Sequence, residues 1–290
     1  MQIRNQLAGL LLLSAVAIAC ADSSPTEPTL SGGLDQGTAG RWTTSTPEGQ
    51  GLDASVLAEL EARISNGEFG DVSSLLVLRN GVLVYELYRG GWTSDDLHRV
   101  YSVTKSVTSL AVGIAVQEGL LSGLQSGILD FFPEHADVPD AETKASITLE
   151  HVLQMRTGWE WDEQSTNYSN DANPVGDLVD STDWIRFVLD LPLAETPGSR
   201  FAYNSGVSML MAGVLGNLTG APAEDFVAGQ LFGPLSIATW DWDTGPGELT
   251  NSGWGLHLRP RDMAALGQLV LQDGVWEGAD VVPADWIAQS

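Results

Sequence analysis

Residues 101–118 read YSVTKSVTSLAVGIAVQE, and Gly119 follows. Val103, Val107, Leu110 and Ile114 recur at the three- and four-residue intervals of one helix face, so the run predicts a helix that the glycine ends. From Leu110 to Val116 it is apolar almost all round, the composition of a central, buried helix. Ser102 falls in the first turn. Unpaired backbone N–H groups and the positive end of the helix dipole there favour the negative charge that develops when a hydroxyl attacks a carbonyl. Lys105 lies one turn further on the same face, and it is one of only two lysines in the 290-residue chain. A lysine at the mouth of a buried helix is partly desolvated, the condition under which an amine serves as a general base. The S-x-x-K spacing alone is a weak signal. A capping serine and a surface lysine also fit this segment.

A second element adds to it. Pro197-Gly198 is followed by Arg200-Phe-Ala-Tyr203-Asn204-Ser205-Gly206, and the apolar stretch 207–218 then opens another helix, so Tyr203 and Ser205 sit in the turn before it. With these residues the chain resembles the penicillin-recognising serine hydrolases, and within them the class C β-lactamase, esterase and 6-aminohexanoate-dimer hydrolase branch. Ser102-Val-Thr-Lys105 is similar to the family's first motif, and Tyr203-Asn204-Ser205 to its Y-x-N element with Ser in the place of Asn. The stretches LEHVLQMRTG (149–158), WEWD (159–162) and WGLHLRPRDMAALGQLVLQDGVWEG (254–278) extend the resemblance over about residues 50–290.

The resemblance implies an α/β (α+β) fold, an antiparallel sheet flanked by helices with an inserted all-helical lobe. It implies a serine hydrolase acting through an acyl-serine, with Ser102 as nucleophile, Lys105 and Tyr203 as the proton-handling pair, and no cofactor. Ser205 is expected to hydrogen-bond Lys105 or a substrate amide. The loop 157–181 is expected to border the cleft and to lay Trp159 and Tyr168 against apolar parts of a substrate; alternatively Trp159 and Trp161 roof the helical lobe. Small esters or amides are the favoured substrates. A D-amino-acid peptidase, a β-lactamase and a catalytically impaired cell-envelope binding module are the alternatives.

The family's third motif, K-[ST]-G or H-x-G on a strand opposite the nucleophile, has no counterpart. Lys144 is followed by Ala-Ser, and none of His98, His135, His151 and His257 has Gly two places later. Residues 74–79 and 82–88 flank Asn80-Gly81, a strong hairpin signal, but no further strands are legible. The expectation is a chain truncated at its C-terminus, with the last strands of the sheet missing.

Composition narrows the function classes. A net charge of −25 leaves no basic patch for phosphates and argues against nucleic-acid binding; it is read as a solubility device rather than as attraction for cationic substrates. There is no G-x-S-x-G elbow, no H-E-x-x-H, no C-x-x-C and no spaced His cluster, so neither an α/β-hydrolase nor a metal site is expected.

Three regions follow. Residues 1–20 carry one early Arg, an apolar run over 7–19 and Ala17-Ile-Ala-Cys20, similar to a lipoprotein signal with lipid on Cys20, the only cysteine. The protein is therefore expected in a bacterial cell envelope, exported and lipid-anchored. Residues 21–50 are rich in Ser, Thr, Pro, Gly and acids and read as a flexible tether. Residues 51–290 form the hydrolase domain, its helical lobe spanning about 129–247. Asp53 caps a first helix with Val56, Leu57, Leu60 and Ile64 inward, and further helices are predicted over 146–155, 183–189, 206–218 and 223–231.

Overall fold

Asn80 and Gly81 both adopt positive φ (54° and 74°), the pair of left-handed conformations that a two-residue hairpin loop requires. In the computed structural model, which describes Leu34 and residues 37–290, they join strands β3 (Ser74–Arg79) and β4 (Val82–Tyr88). The ladder skips a residue: Val77 pairs with Tyr85 but Leu78 with Leu83, so Val84 is an extra residue, a β-bulge. Without it Leu83 and Tyr85 would share a face. With it Leu83 enters the main core, while Val84, Tyr85 and Leu87 form a second cluster with Leu57 and Ile64 of helix α1 (Ala54–Ser65). Asp53 caps α1 as the sequence predicts, accepting from the Ser55 N–H. The buried Tyr85 hydroxyl donates to Glu61 across 2.9 Å, and burial holds this phenol well above its ordinary value.

Two sequence expectations need correction here. The tether over 21–50 is not a tether at its C-terminal end, and further strands do exist. β1 (Gly37–Ala39) pairs antiparallel with β2 (Trp42–Thr44), and Thr44 pairs with Leu83 in parallel, giving a mixed sheet of order β1-β2-β4-β3. The anchor is Trp42. It is 3% exposed, meets Trp276 edge-on at 5.9 Å and donates its ring N–H to the Arg261 carbonyl. Beside it Arg41 pairs with buried Asp262 at 2.7 Å and donates to the Ser236 carbonyl. One tryptophan among polar residues carries no periodicity, yet its burial outweighs that of several smaller side chains. Residues 1–33, with the signal-like segment and Cys20, lie outside the described residues.

The predicted central helix is α2 (Val103–Gln117), with Val107, Leu110, Ala111, Val112, Ile114 and Ala115 buried. Helices α3 (Ala141–Lys144), α4 (Leu149–Leu153), α5 (Pro174–Asp180), α6 (Trp184–Asp190), α7 (Ser205–Thr219) and α8 (Ala223–Val227) follow. Helix α7 is apolar enough to be buried over most of its length and packs against α2 and α6. The second lysine, Lys144, is fully buried; its ammonium donates to the Leu189 carbonyl at 2.7 Å, and desolvation lowers its pKa.

A second sheet, unforeseen in the sequence, has the order β5-β7-β6, from β5 (His98–Arg99), β6 (Trp240–Trp242) and β7 (Leu256–Leu258). Its strands are two or three residues long, too short for an alternation to register. Helix α9 (Pro260–Leu271) packs against β3, and β8 (Val275–Trp276) and β9 (Ala279–Asp280) form a small hairpin. Helix α10 (Ala284–Gln289) lays Trp286 on α2 where Gly113 clears a path; a Cβ at Gly113 would stand 2.5 Å from the indole. Among the described residues no helix is long and apolar enough to cross a membrane.

Candidate active site

Strand β5 delivers the nucleophile candidate. His98 and Arg99 pair with Leu258 and His257, Val100 donates to the Leu256 carbonyl, and the backbone then turns sharply at Tyr101 (φ 46°) into α2. A positive φ is costly for a bulky residue and persists where the surroundings enforce it. Ser102 follows as the N-cap residue, but its side chain makes no capping hydrogen bond and stays exposed. The capping alternative for its hydroxyl is therefore set aside.

Lys105 and Tyr203 converge on that hydroxyl. The Tyr203 hydroxyl donates to Ser102 Oγ at 2.8 Å, and Lys105 Nζ lies 3.3 Å from the same oxygen. The ammonium also donates to the Gly253 carbonyl at 2.8 Å and sits 5.1 Å from the centroid of the Tyr203 ring. Gly253 belongs to a turn that Asn251 ties down, its side-chain oxygen accepting from the Gly253 and Trp254 N–H groups. A Cβ at Gly253 would stand 2.7 Å from Met209, so the carbonyl reaches Lys105 because the residue has none. Tyr203 is held from both sides: Ala202 donates to the Met155 carbonyl, and Asn204 caps α7 through the Val207 N–H.

The expected role of Ser205 is corrected. Its N–H and its hydroxyl donate to the two carboxylate oxygens of Glu163, at 2.7 and 2.8 Å, so the hydroxyl does not serve Lys105. Glu163 is 1% exposed and also accepts from Trp161 Nε1 (2.7 Å) and the Tyr168 hydroxyl (3.0 Å). Four donors and the positive end of α7 compensate a buried carboxylate for its lost hydration. Nothing in the sequence marks Glu163, one acid among 38 Asp and Glu. Asn173 completes the clamp by donating to the carbonyls of Glu163 and Thr166.

Trp159 is likewise corrected: it is 3% exposed and part of the core, so with Trp161 it follows the roofing alternative. Tyr168 does border the cleft, its ring largely exposed and its hydroxyl turned in to Glu163. Desolvation of that hydroxyl, together with the neighbouring carboxylate, pushes the phenol up to about 12.

In front of Ser102 lies a cleft of about 480 Å³. Tyr101, Tyr168, Val175, Val179 and Trp254 give it apolar walls, and Arg99 supplies the formal charge among its lining residues. Behind Arg99, Asp241, Asp243 and His257 bring ligand-type atoms within 4.8 Å of one another. Arg99 pairs with Asp243 at 2.7 Å, so the cation on this cluster is the guanidinium itself.

A family model described as Beta-lactamase matches residues 67–280. The 6-aminohexanoate-dimer hydrolase of Paenarthrobacter ureafaciens is 27% identical over 248 residues, covering 81% of this chain; the chain spans only 60% of that relative's length. Among solved structures, the octameric penicillin-binding protein homologue from Pyrococcus abyssi superposes with a TM-score of 0.62 at 18% identity, over 80% of this chain and 59% of that one. EstCE1, described as a hydrolase with promiscuous acyltransferase activity, gives 0.63 at 15% identity over 79% and 73%. At these identities the structural likeness speaks for the fold.

Proposed function

Because this chain belongs to the β-lactamase family, we propose that it is a serine hydrolase that cleaves small esters or amides through an acyl-serine intermediate. The observation that carries the reading is the meeting of Tyr203 and Lys105 on Ser102 Oγ, at 2.8 and 3.3 Å, at the mouth of an apolar cleft. The likeness to a 6-aminohexanoate-dimer hydrolase supports it.

In this reading the reactive pair holds one proton fewer than a phenol beside an ammonium, a Tyr203 phenolate next to the Lys105 ammonium, and Ser102 Oγ attacks the substrate carbonyl as its proton passes to that phenolate oxygen. The ammonium, 5.1 Å from the ring centroid, stabilises the phenolate that precedes the transfer and that re-forms when the proton is passed on. The Ser102 N–H, at the start of α2, donates to the oxygen that becomes anionic. The pair returns the proton to the departing alcohol or amine. Water then enters the same position, loses its proton to the pair, and releases the acid and free Ser102.

Lipid attachment at Cys20 and a place in the bacterial cell envelope belong to the same proposal, supported by the apolar run over 7–19 that ends in the only cysteine. An unmodified Cys20 thiol by mass spectrometry of the cell-derived protein would remove that part.

The test of the enzymatic reading is a fluorophosphonate probe followed by peptide mass spectrometry, alongside release of p-nitrophenol from its acetate. One adduct on Ser102 together with turnover is expected. Absence of both overturns the reading in favour of a binding module.

A further inference from the structure

The charge that a substrate meets in the cleft is opposite to the charge of the protein. The chain as a whole carries −25, yet the charged residue lining the cleft is Arg99, and the nearest other ionic group to Ser102 Oγ is the Lys105 ammonium. At physiological ionic strength the field of exposed charges fades over about 8 Å, so a bound molecule senses these two cations and the adjoining Asp243 and Glu163 before the remaining acids, and both of those carboxylates already accept hydrogen bonds from protein donors.

Arg99 is held in place and left with capacity. Its Nε donates to the Trp254 carbonyl (3.3 Å), one Nη2 proton goes to Asp243 (2.7 Å), and the guanidinium lies 5.5 Å from the Tyr101 ring centroid. A guanidinium has five N–H groups. Three are left without a partner among the described residues, on a side chain 38% exposed. Planar paired N–H groups are the geometry that recognises a carboxylate. Arg99 stands three residues before Ser102, a separation of at most about 10 Å along the backbone. Asp243 opposes the idea by neutralising part of the charge, but it occupies one N–H only and leaves the Nη1 pair free.

We propose that Arg99 makes this site select esters or amides that carry a carboxylate on a short arm from the reacting carbonyl, such as monoesters of small dicarboxylic acids. This rests on the hydrolase reading for its chemistry, but it is a statement about binding.

The test uses the full chain carrying Ser102→Ala, which binds without turning over. Titration calorimetry compares the phenyl monoester of succinate with two esters of matched length, the neutral phenyl pentanoate and the cationic phenyl 4-aminobutanoate. The succinate ester is expected to bind about tenfold tighter than the neutral one, the worth of one charge-assisted contact, and the cationic ester weakest. Adding Arg99→Gln should bring the anionic to neutral ratio to about one. Asp243→Asn, which frees the guanidinium, should raise it. Equal binding of the anionic and neutral esters, or a preference that survives Arg99→Gln, overturns the proposal. Acylation of Ser102 in the unmutated protein is read separately, so failure of the hydrolase reading and failure of anion selection are told apart.

Discussion

The Tyr203 hydroxyl lies 2.8 Å from Ser102 Oγ although 101 residues separate the two along the chain. Two buried helices, α2 and α7, present their first turns to the same point, and each of the two residues stands just before its helix. The contact is thus a property of how two helices pack, and it makes the roles of the two side chains separable by mutation.

Ser102→Ala removes an exposed hydroxyl that makes no cap. Ester hydrolysis is expected to fall by about a thousandfold or more while the unfolding midpoint stays within a degree or two. Loss of the fluorophosphonate adduct with an unchanged circular dichroism melt is the signature.

Tyr203→Phe keeps the ring beneath the Lys105 ammonium and deletes the hydroxyl. A fall in kcat of about a hundredfold or more, with little change in KM, is expected for a group that handles protons. If KM rises instead and kcat holds, Tyr203 binds substrate rather than moving protons.

Glu163→Ala leaves the donors of Trp161, Tyr168 and Ser205 without their acceptor. A loss of about 3 kcal/mol or more in urea unfolding is expected from orphaned buried donors. The Tyr168 phenol also loses one cause of its upward shift, so its titration, followed by ultraviolet difference absorbance, should move down from about 12.

Trp42→Ala tests the corrected N-terminal boundary. Deleting a fully buried indole is expected to cost about 3–5 kcal/mol, whereas a tryptophan in a solvated tether would cost nothing. Chemical denaturation separates the two.

His98 gives a pH dependence. Burial lowers its pKa below the ordinary 6.5, and its Nε2 finds no partner among the described residues, while Trp92 stacks on the ring at 4.1 Å. The folded state binds this proton less readily than the unfolded one. The associated stability is thus fully present above 6.5 and is lost as the pH falls through the lowered folded value. His98→Phe should flatten that part of the melting profile between neutral and mildly acid pH. An equally steep decline in the variant assigns it to other groups.

Much of this site could be read from the sequence because its parts sit at helix starts, where local rules are strongest. The placement of Ser102 and Lys105 is legible that way, as are the Asp53 cap and the Asn80-Gly81 turn; Tyr203 and the roles of all three come from the family resemblance. The illegible parts have a common cause. Strands β1, β2, β5, β6 and β7 are two or three residues long and take their stability from partners distant in sequence, so no period announces them. Glu163 and Arg99 are ordinary charged residues until the fold surrounds one with donors and turns the other toward the cleft. Trp159 falls outside the site for the converse reason: burial commits its surface to the core, whereas Ser205 lines the cleft but gives its hydroxyl to Glu163 instead of Lys105.

The shared carboxylate of Glu163 couples the order of assembly to the completion of the site. The loop that carries it and the first turn of α7 lie 42 residues apart; Ser205 finds the acceptor for its N–H and hydroxyl only in that loop, and the carboxylate takes two of its four donors from α7. A folding intermediate with α7 docked and the loop still loose would hold the Ser205 donors against an apolar core without an acceptor. One with the loop closed first would leave the carboxylate with only its Trp161 and Tyr168 donors. Both half-built species are penalised, so the loop and the helix that positions Tyr203 are driven to dock in one cooperative step, and a molecule that has passed that barrier already has its proton-transfer geometry in place.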